Sequence, residues 1–119
     1  MDNLPIYFVC SYYLNPNKAV EYQKWLLSDR ARELIAEFEK ETGLKYLNTY
    51  FPILGFGDYD CEDWFVAQDF SALDRYRNSK ASEKMMEETW DFMDMTKLMK
   101  SRVMRTAEDV LIFEPPKEK

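Results

Sequence analysis

Histidine is missing altogether from these 119 residues. With it go the commonest general base near neutral pH, the commonest transition-metal ligand and the usual protein ligand to haem iron. Cysteine is nearly absent too. Cys10 and Cys61 have no CxxC spacing, so neither a zinc site nor a disulfide framework finds its residues, and buried free thiols are expected. No apolar run approaches the roughly 20 residues that span a bilayer. The opening Met1-Asp2-Asn3-Leu4-Pro5 lacks a basic segment followed by an apolar one, which leads to the expectation of a cytoplasmic protein. Bases are outnumbered, 16 against 22 acids for a net charge of -6, and form no stripe. Neither nucleic acid nor an anionic membrane is therefore expected as a partner.

Bulky side chains are abundant. Hydrophobic residues make up 46% and aromatics 16% of the chain, far more than a disordered segment carries. The length suits one domain, residues 1–119, with 115–119 as a frayed tail after Pro115-Pro116.

The run Ile6 to Leu14 is rich in β-branched and aromatic residues and stops at Asn15-Pro16-Asn17, as a strand would. Ile6, Phe8, Cys10 and Tyr12 take one face, Tyr7, Val9, Ser11 and Tyr13 the other. Because both faces are apolar or aromatic, the strand is expected to be central and covered on both sides. Asn15 as N-cap and Pro16 at the first position predict a helix running to Glu41, stopped by Thr42-Gly43. Val20, Leu27, Ala31, Leu34, Ile35 and Phe38 make its sheet-facing stripe. Tyr22, Trp25 and Leu26 fall nearly opposite, either tucked beneath a loop or the protein's own tail or forming a subunit contact.

Leu44–Leu54 and Cys61–Phe70 read as two further strands, the first at an edge or bulged because of Pro52. The stretch GDYDCEDWF, residues 57–65, straddles the hairpin between them. It lacks the sixth-position glycine and twelfth-position glutamate of a calcium loop, so no metal is expected there. A short helix from Ser71 to about Asn78 precedes a second from Lys80. In that second helix Met85, Met86, Thr89, Phe92, Met93 and Thr96 form a stripe with Trp90 at its edge. Ser101–Glu114 supplies a fourth strand, interrupted or followed by an arm.

The order is βαββαβ, a ferredoxin-like α+β fold with a four-stranded antiparallel sheet and its helices on one face. The other face is too apolar to stay bare, and a second copy is the simplest cover.

Three stretches, LNPNKAVEYQKWL, WFVAQDFSALDRYRNSKASEKM and SRVMRTAEDVL, resemble the dimeric α+β barrel superfamily, which includes antibiotic-biosynthesis-monooxygenase-like and NIPSNAP-like small proteins. The resemblance implies a homodimer whose sheets close into a barrel, with a pocket in each subunit between sheet and helices. Haem-degrading members use an Asn on the first strand, a Trp on the third and a His on the next helix. Trp64 stands at the Trp position, whereas the first strand offers Ser11 and Tyr13 and no histidine exists. Haem breakdown by that route is not expected, and no cofactor is implied.

Three functional readings stay open. The leading one is a binding protein holding a small apolar or aromatic ligand against Asn48, Tyr50, Tyr76, Met86, Trp90 and Met93. The second is a cofactor-independent oxygenase or isomerase with Trp64 as anchor, a tyrosine hydroxyl as donor and Asp69 as a base of raised pKa. Asp69 has another use, capping the next helix or meeting an arginine. The third reading is an interaction module whose interior is filled by its own side chains.

Overall fold

The computed structural model describes residues 4–109. Within them lie β1 (Ile6–Tyr12), α1 (Ala19–Leu26), α2 (Asp29–Thr42), β2 (Lys45–Tyr50), β3 (Cys61–Ala67), α3 (Ser71–Arg77), α4 (Lys80–Thr89) and β4 (Lys100–Met104). Single 3₁₀ turns cover Trp90–Phe92 and Ala107–Asp109. The strands form one antiparallel sheet in the order β2-β3-β1-β4. The arrangement is ferredoxin-like α+β. Among the described residues no helix is long and apolar enough to cross a membrane.

The two-faced apolar run of β1 lies between β3 and β4. Towards the helices, Ile6, Phe8 and Cys10 join Phe38, Leu44 and Phe65 in one core cluster, while Tyr12, Leu14, Tyr22 and Cys61 form a second. On the far face Val9 is 0% exposed. It sits in register between Trp64 and Arg102, whose longer side chains flank it. That face otherwise presents half-buried Tyr7, Trp64 and Val66 and exposed Tyr50.

The expected single long helix is two helices. Ser28 adopts an extended backbone and its hydroxyl accepts from the Ala31 N–H at 3.2 Å while donating to the Trp25 carbonyl. That is an N-cap, and it starts a second helix. The phase of the apolar stripe slips there. Ala31, Leu34 and Phe38 stay buried, but Val20 is 61% and Leu27 76% exposed, and Tyr22, at 3%, points inward instead. The α1 start is also displaced: Lys18 occupies the cap position, and the Asn15 side chain donates to the Asp91 carbonyl.

α2 ends where Thr42-Gly43 implies, with Gly43 at φ 82°. A Cβ there would stand 2.8 Å from the Arg75 Nη2, and Arg75 is needed close by because its Nε donates to the Thr42 carbonyl. Glu41 accepts from the Ser79 hydroxyl and from the Lys80 and Ala81 N–H groups, tying the end of α2 to the start of α4. Arg30 to Glu88 and Lys84 to Glu37 add surface ion pairs between the same helices.

β2 is an edge strand, as Pro52 suggests, but its bulge falls between Tyr46 and Asn48, with Leu47 as the residue that has no partner in register. β3 stops at Ala67, so Gln68 and Asp69 lie outside the sheet. β4 begins one residue before the expected start; of that expected strand, residues 110–114 lie outside the described residues, as does the 115–119 tail.

Candidate functional site

Asp63 occupies the centre of β3, opposite Cys10 on β1 and Thr49 on β2. Strand alternation turns it, with Cys61 and Phe65, toward the helices. Its Oδ1 accepts from the Tyr12 hydroxyl at 2.7 Å and from the Thr49 hydroxyl at 2.8 Å. A hydroxyl has one hydrogen to give. With the Tyr12 proton committed to Asp63, the 2.6 Å contact between Tyr12 and Tyr22 is a donation from Tyr22. By the same count Tyr46 donates to Thr49 at 2.5 Å. Four hydroxyls thus point their protons along two arms that converge on one carboxylate oxygen, the arrangement an ionised Asp63 requires.

The second oxygen, Oδ2, accepts no hydrogen bond among the described residues, and it is not sealed from solvent, since Asp63 is half-buried. Asp63 borders a cavity of about 100 Å³ between sheet and helices, walled by Tyr12, Tyr22, Tyr76, Met85 and Met93 among others. Burial raises its pKa from 3.8 to about 6, against the lowering effect of the Tyr12 and Thr49 hydrogen bonds. Burial likewise pushes Tyr12 and Tyr22 well above the ordinary tyrosine range, Cys10 to about 11 and Cys61 to about 12. The thiols are therefore neutral and inert at physiological pH. Asp63 alone in this cluster changes charge near neutrality.

The residues singled out from sequence divide between two faces. Tyr76, Met86 and Met93 line the cavity with Asp63. Trp64 is on the opposite face of the sheet, its Nε1 donating to Glu62 Oε1 at 3.2 Å. Glu62 also accepts from Ser11 and Arg102. Tyr50 keeps Trp64 company, ring centroids 6.1 Å apart. Asn48 pairs with Trp64 in register and borders a separate open groove of about 550 Å³ beside α1 and α2. Trp90 is 51% exposed and does not line the cavity, because it opens a 3₁₀ turn and leaves the 100° projection of α4.

Asp69 is not a buried base. It is exposed beyond the end of β3. The Ser71 hydroxyl donates to its Oδ1 at 2.6 Å, and this bond, with the backbone N–H groups that open α3, holds its pKa below the ordinary value. It is a helix-start residue, the alternative use noted above. The carboxylate that does carry a raised pKa, Asp63, was legible as the acid between Cys61 and Phe65 on the apolar side of the strand. The acids of residues 57–65 are dispersed rather than gathered: Asp60 accepts from the Leu14 N–H, Glu62 lies on one face and Asp63 on the other. Among the described residues no three His, Cys, Asp or Glu side chains come together to hold a metal.

Comparison with solved structures yields folds of the same kind. A NIPSNAP-like domain protein from Burkholderia xenovorans aligns over 96% of this chain and 91% of its own, at 16% identity and a TM-score of 0.63. A NIPSNAP family protein of unknown function from Agrobacterium tumefaciens aligns over 92% and 97%, at 11% identity and 0.62. A protein from Bacteroides fragilis described as dimeric, of unknown function and ferredoxin-like, covers 85% and 95%, at 6% identity and 0.59. The likeness is one of fold. No family model and no curated protein sequence matches the chain.

Proposed function

We propose that this protein is a homodimer, paired through its sheet faces, that binds a small apolar or aromatic molecule in the cleft between sheet and helices. The ligand's polar group is read by Asp63 Oδ2. One observation carries the reading: a half-buried carboxylate whose Oδ2 accepts no hydrogen bond among the described residues borders a cavity walled mainly by aromatic rings and methionines. An acceptor partly withdrawn from water gains from a donor that a ligand brings.

At about 100 Å³ the cleft is smaller than the roughly 300–1,000 Å³ typical of drug-sized ligands. Methionine supplies the adjustment, since Met85, Met86, Met93 and Met99 line it and unbranched thioethers repack readily. The remaining space weighs against an interaction module with a filled interior. A second reading, cofactor-independent proton transfer of the isomerase kind, is favoured by the pKa of about 6 at Asp63, a value suited to a general base. In that reading Asp63 takes the role assigned from sequence to Asp69. The dimer draws on the exposed aromatic face and on the dimeric description of the Bacteroides fragilis protein.

The test is ligand-detected binding of small aromatic compounds to the wild-type protein and to an Asp63→Leu variant. Saturable binding that the substitution removes supports the cleft. Binding that survives it unchanged overturns the assignment.

A further inference from the structure

We infer that the cleft selects a small organic cation, a protonated amine on an apolar or aromatic body, over neutral or anionic molecules of the same shape. The inference rests on the reading of the cleft as a ligand site. Its basis is the distribution of donors and charge around Asp63. Oδ1 already takes the Tyr12 and Thr49 hydrogens. The Tyr22 hydroxyl proton goes to Tyr12, and Thr89 donates to the Met85 carbonyl. The Tyr76 and Ser82 hydroxyls also line the wall, but both are neutral, so Asp63 is the one charged acceptor the lining offers. Among the described residues neither Lys nor Arg lines the cavity, and the chain has no His. Asp63 has no cationic partner there.

A neutral hydroxyl supplies the missing donor but leaves the partly desolvated charge uncompensated. An ammonium supplies both, through a charge-assisted bond. A carboxylate ligand would add like-charge repulsion. The remaining wall, tyrosine and phenylalanine rings with methionine thioethers, is a surrounding that accepts organic cations well.

The titratable groups around Asp63 are Tyr12 and Cys10 on β1, Tyr22 on α1, Tyr46 on β2, Cys61 on β3 and Tyr76 on α3. All are pushed up from their ordinary values. α4 contributes only Ser82, Met85, Met86 and Thr89 to the wall. Near neutral pH the charge of the site is that of Asp63.

Protein labelled at its methionine methyls is titrated with benzylamine, benzyl alcohol and benzoate at pH 7.5 and pH 5. Benzylamine should shift the Met85 and Met93 signals at pH 7.5 with affinity about tenfold above benzyl alcohol, the difference one charge-assisted bond makes. Benzoate should leave them unmoved. The amine preference should vanish at pH 5, and at pH 7.5 in Asp63→Asn. Equal affinity for amine and alcohol, or a preference that survives both changes, overturns the charge selectivity and leaves the ligand cleft standing. Shifts confined to exposed Met95 would mark cations gathering on an acidic surface and would also overturn it. Silence of Met85 and Met93 with all three compounds removes the cleft as a ligand site.

Discussion

Asp63 trades stability for readiness to bind. Its folded pKa of about 6 lies above the ordinary 3.8, so the folded state holds the proton more tightly than the unfolded chain. Stability is accordingly highest below pH 3.8 as far as this group is concerned. It falls as the pH rises toward 6, and the loss is complete above that, at roughly 3 kcal/mol. Asparagine keeps the Oδ1 acceptor for Tyr12 and Thr49 while removing the charge. Asp63→Asn should therefore raise unfolding free energy at pH 8 by about 1–3 kcal/mol, with the gain shrinking to nothing near pH 4. Denaturant titrations at pH 8, 6 and 4 check this, and a destabilised variant at pH 8 would mean that the charge is not buried at a cost. Period-two alternation placed Asp63 inward as surely as Phe65. Asp69 draws attention in the sequence because the apolar run continues to Phe70. A strand end three residues early put Asp69 in water and at a helix start, where a carboxylate is stabilised in its charged form.

Elements were legible where local chemistry agrees with packing. The centrality of β1, the edge position of β2 and the stop at Gly43 all follow from residue type. The break between α1 and α2 did not show, because Leu27-Ser28-Asp29 fits a helical stripe well enough and serine is tolerated within helices. Only the packing decides, since Tyr22 must turn inward to reach Tyr12. Ser28→Ala removes the hydroxyl that caps α2 and should cost about 1 kcal/mol, whereas Ser28→Asp should cost little. Thermal unfolding of the two variants distinguishes a true cap from an incidental turn. The cavity-lining Met86 of α4 was also legible from its spacing, while Met93 reaches the cavity from beyond the 3₁₀ turn, in extended backbone. Trp90 was not, since a 3₁₀ turn has a different angular step from the helix before it.

On the scale of the whole molecule, the two faces of the sheet have different work. The helix-covered side holds the cleft, and the open side carries Tyr7, Trp64 and Tyr50 around the Glu62–Arg102 pair, which are 3.1 Å apart. Val9 is a poor probe of pairing between copies because it is already buried within one chain. Tyr50, 53% exposed, is a better one. Tyr50→Glu should leave circular dichroism and monomer stability within about 0.5 kcal/mol, as for an exposed position, while shifting the mass in dilute solution from two chains to one. A wild-type protein that scatters light as a single 14.3 kDa chain would dispose of the dimer without touching the cleft.

The irregularity at Leu47 matters to all three scales. In an unbroken strand, residues three apart look in opposite directions, yet Tyr46 and Thr49 both look at Asp63 because one residue between them takes no rung in the ladder. Strand β2 is thus one codon longer than its neighbour demands. Losing residue 47 would leave the parity of its flanks intact, and such a shortened protein should still fold with a carboxyl titrating near 6, measurable by carbon NMR. Losing residue 48 instead gives the same count of rungs, with Leu47 taking the place opposite Trp64, and should leave that parity intact as well. Tolerance to single-residue deletion should therefore mark the bulge, whereas the same loss within β3, whose register with β1 is unbroken, should turn half of that strand over and prevent folding.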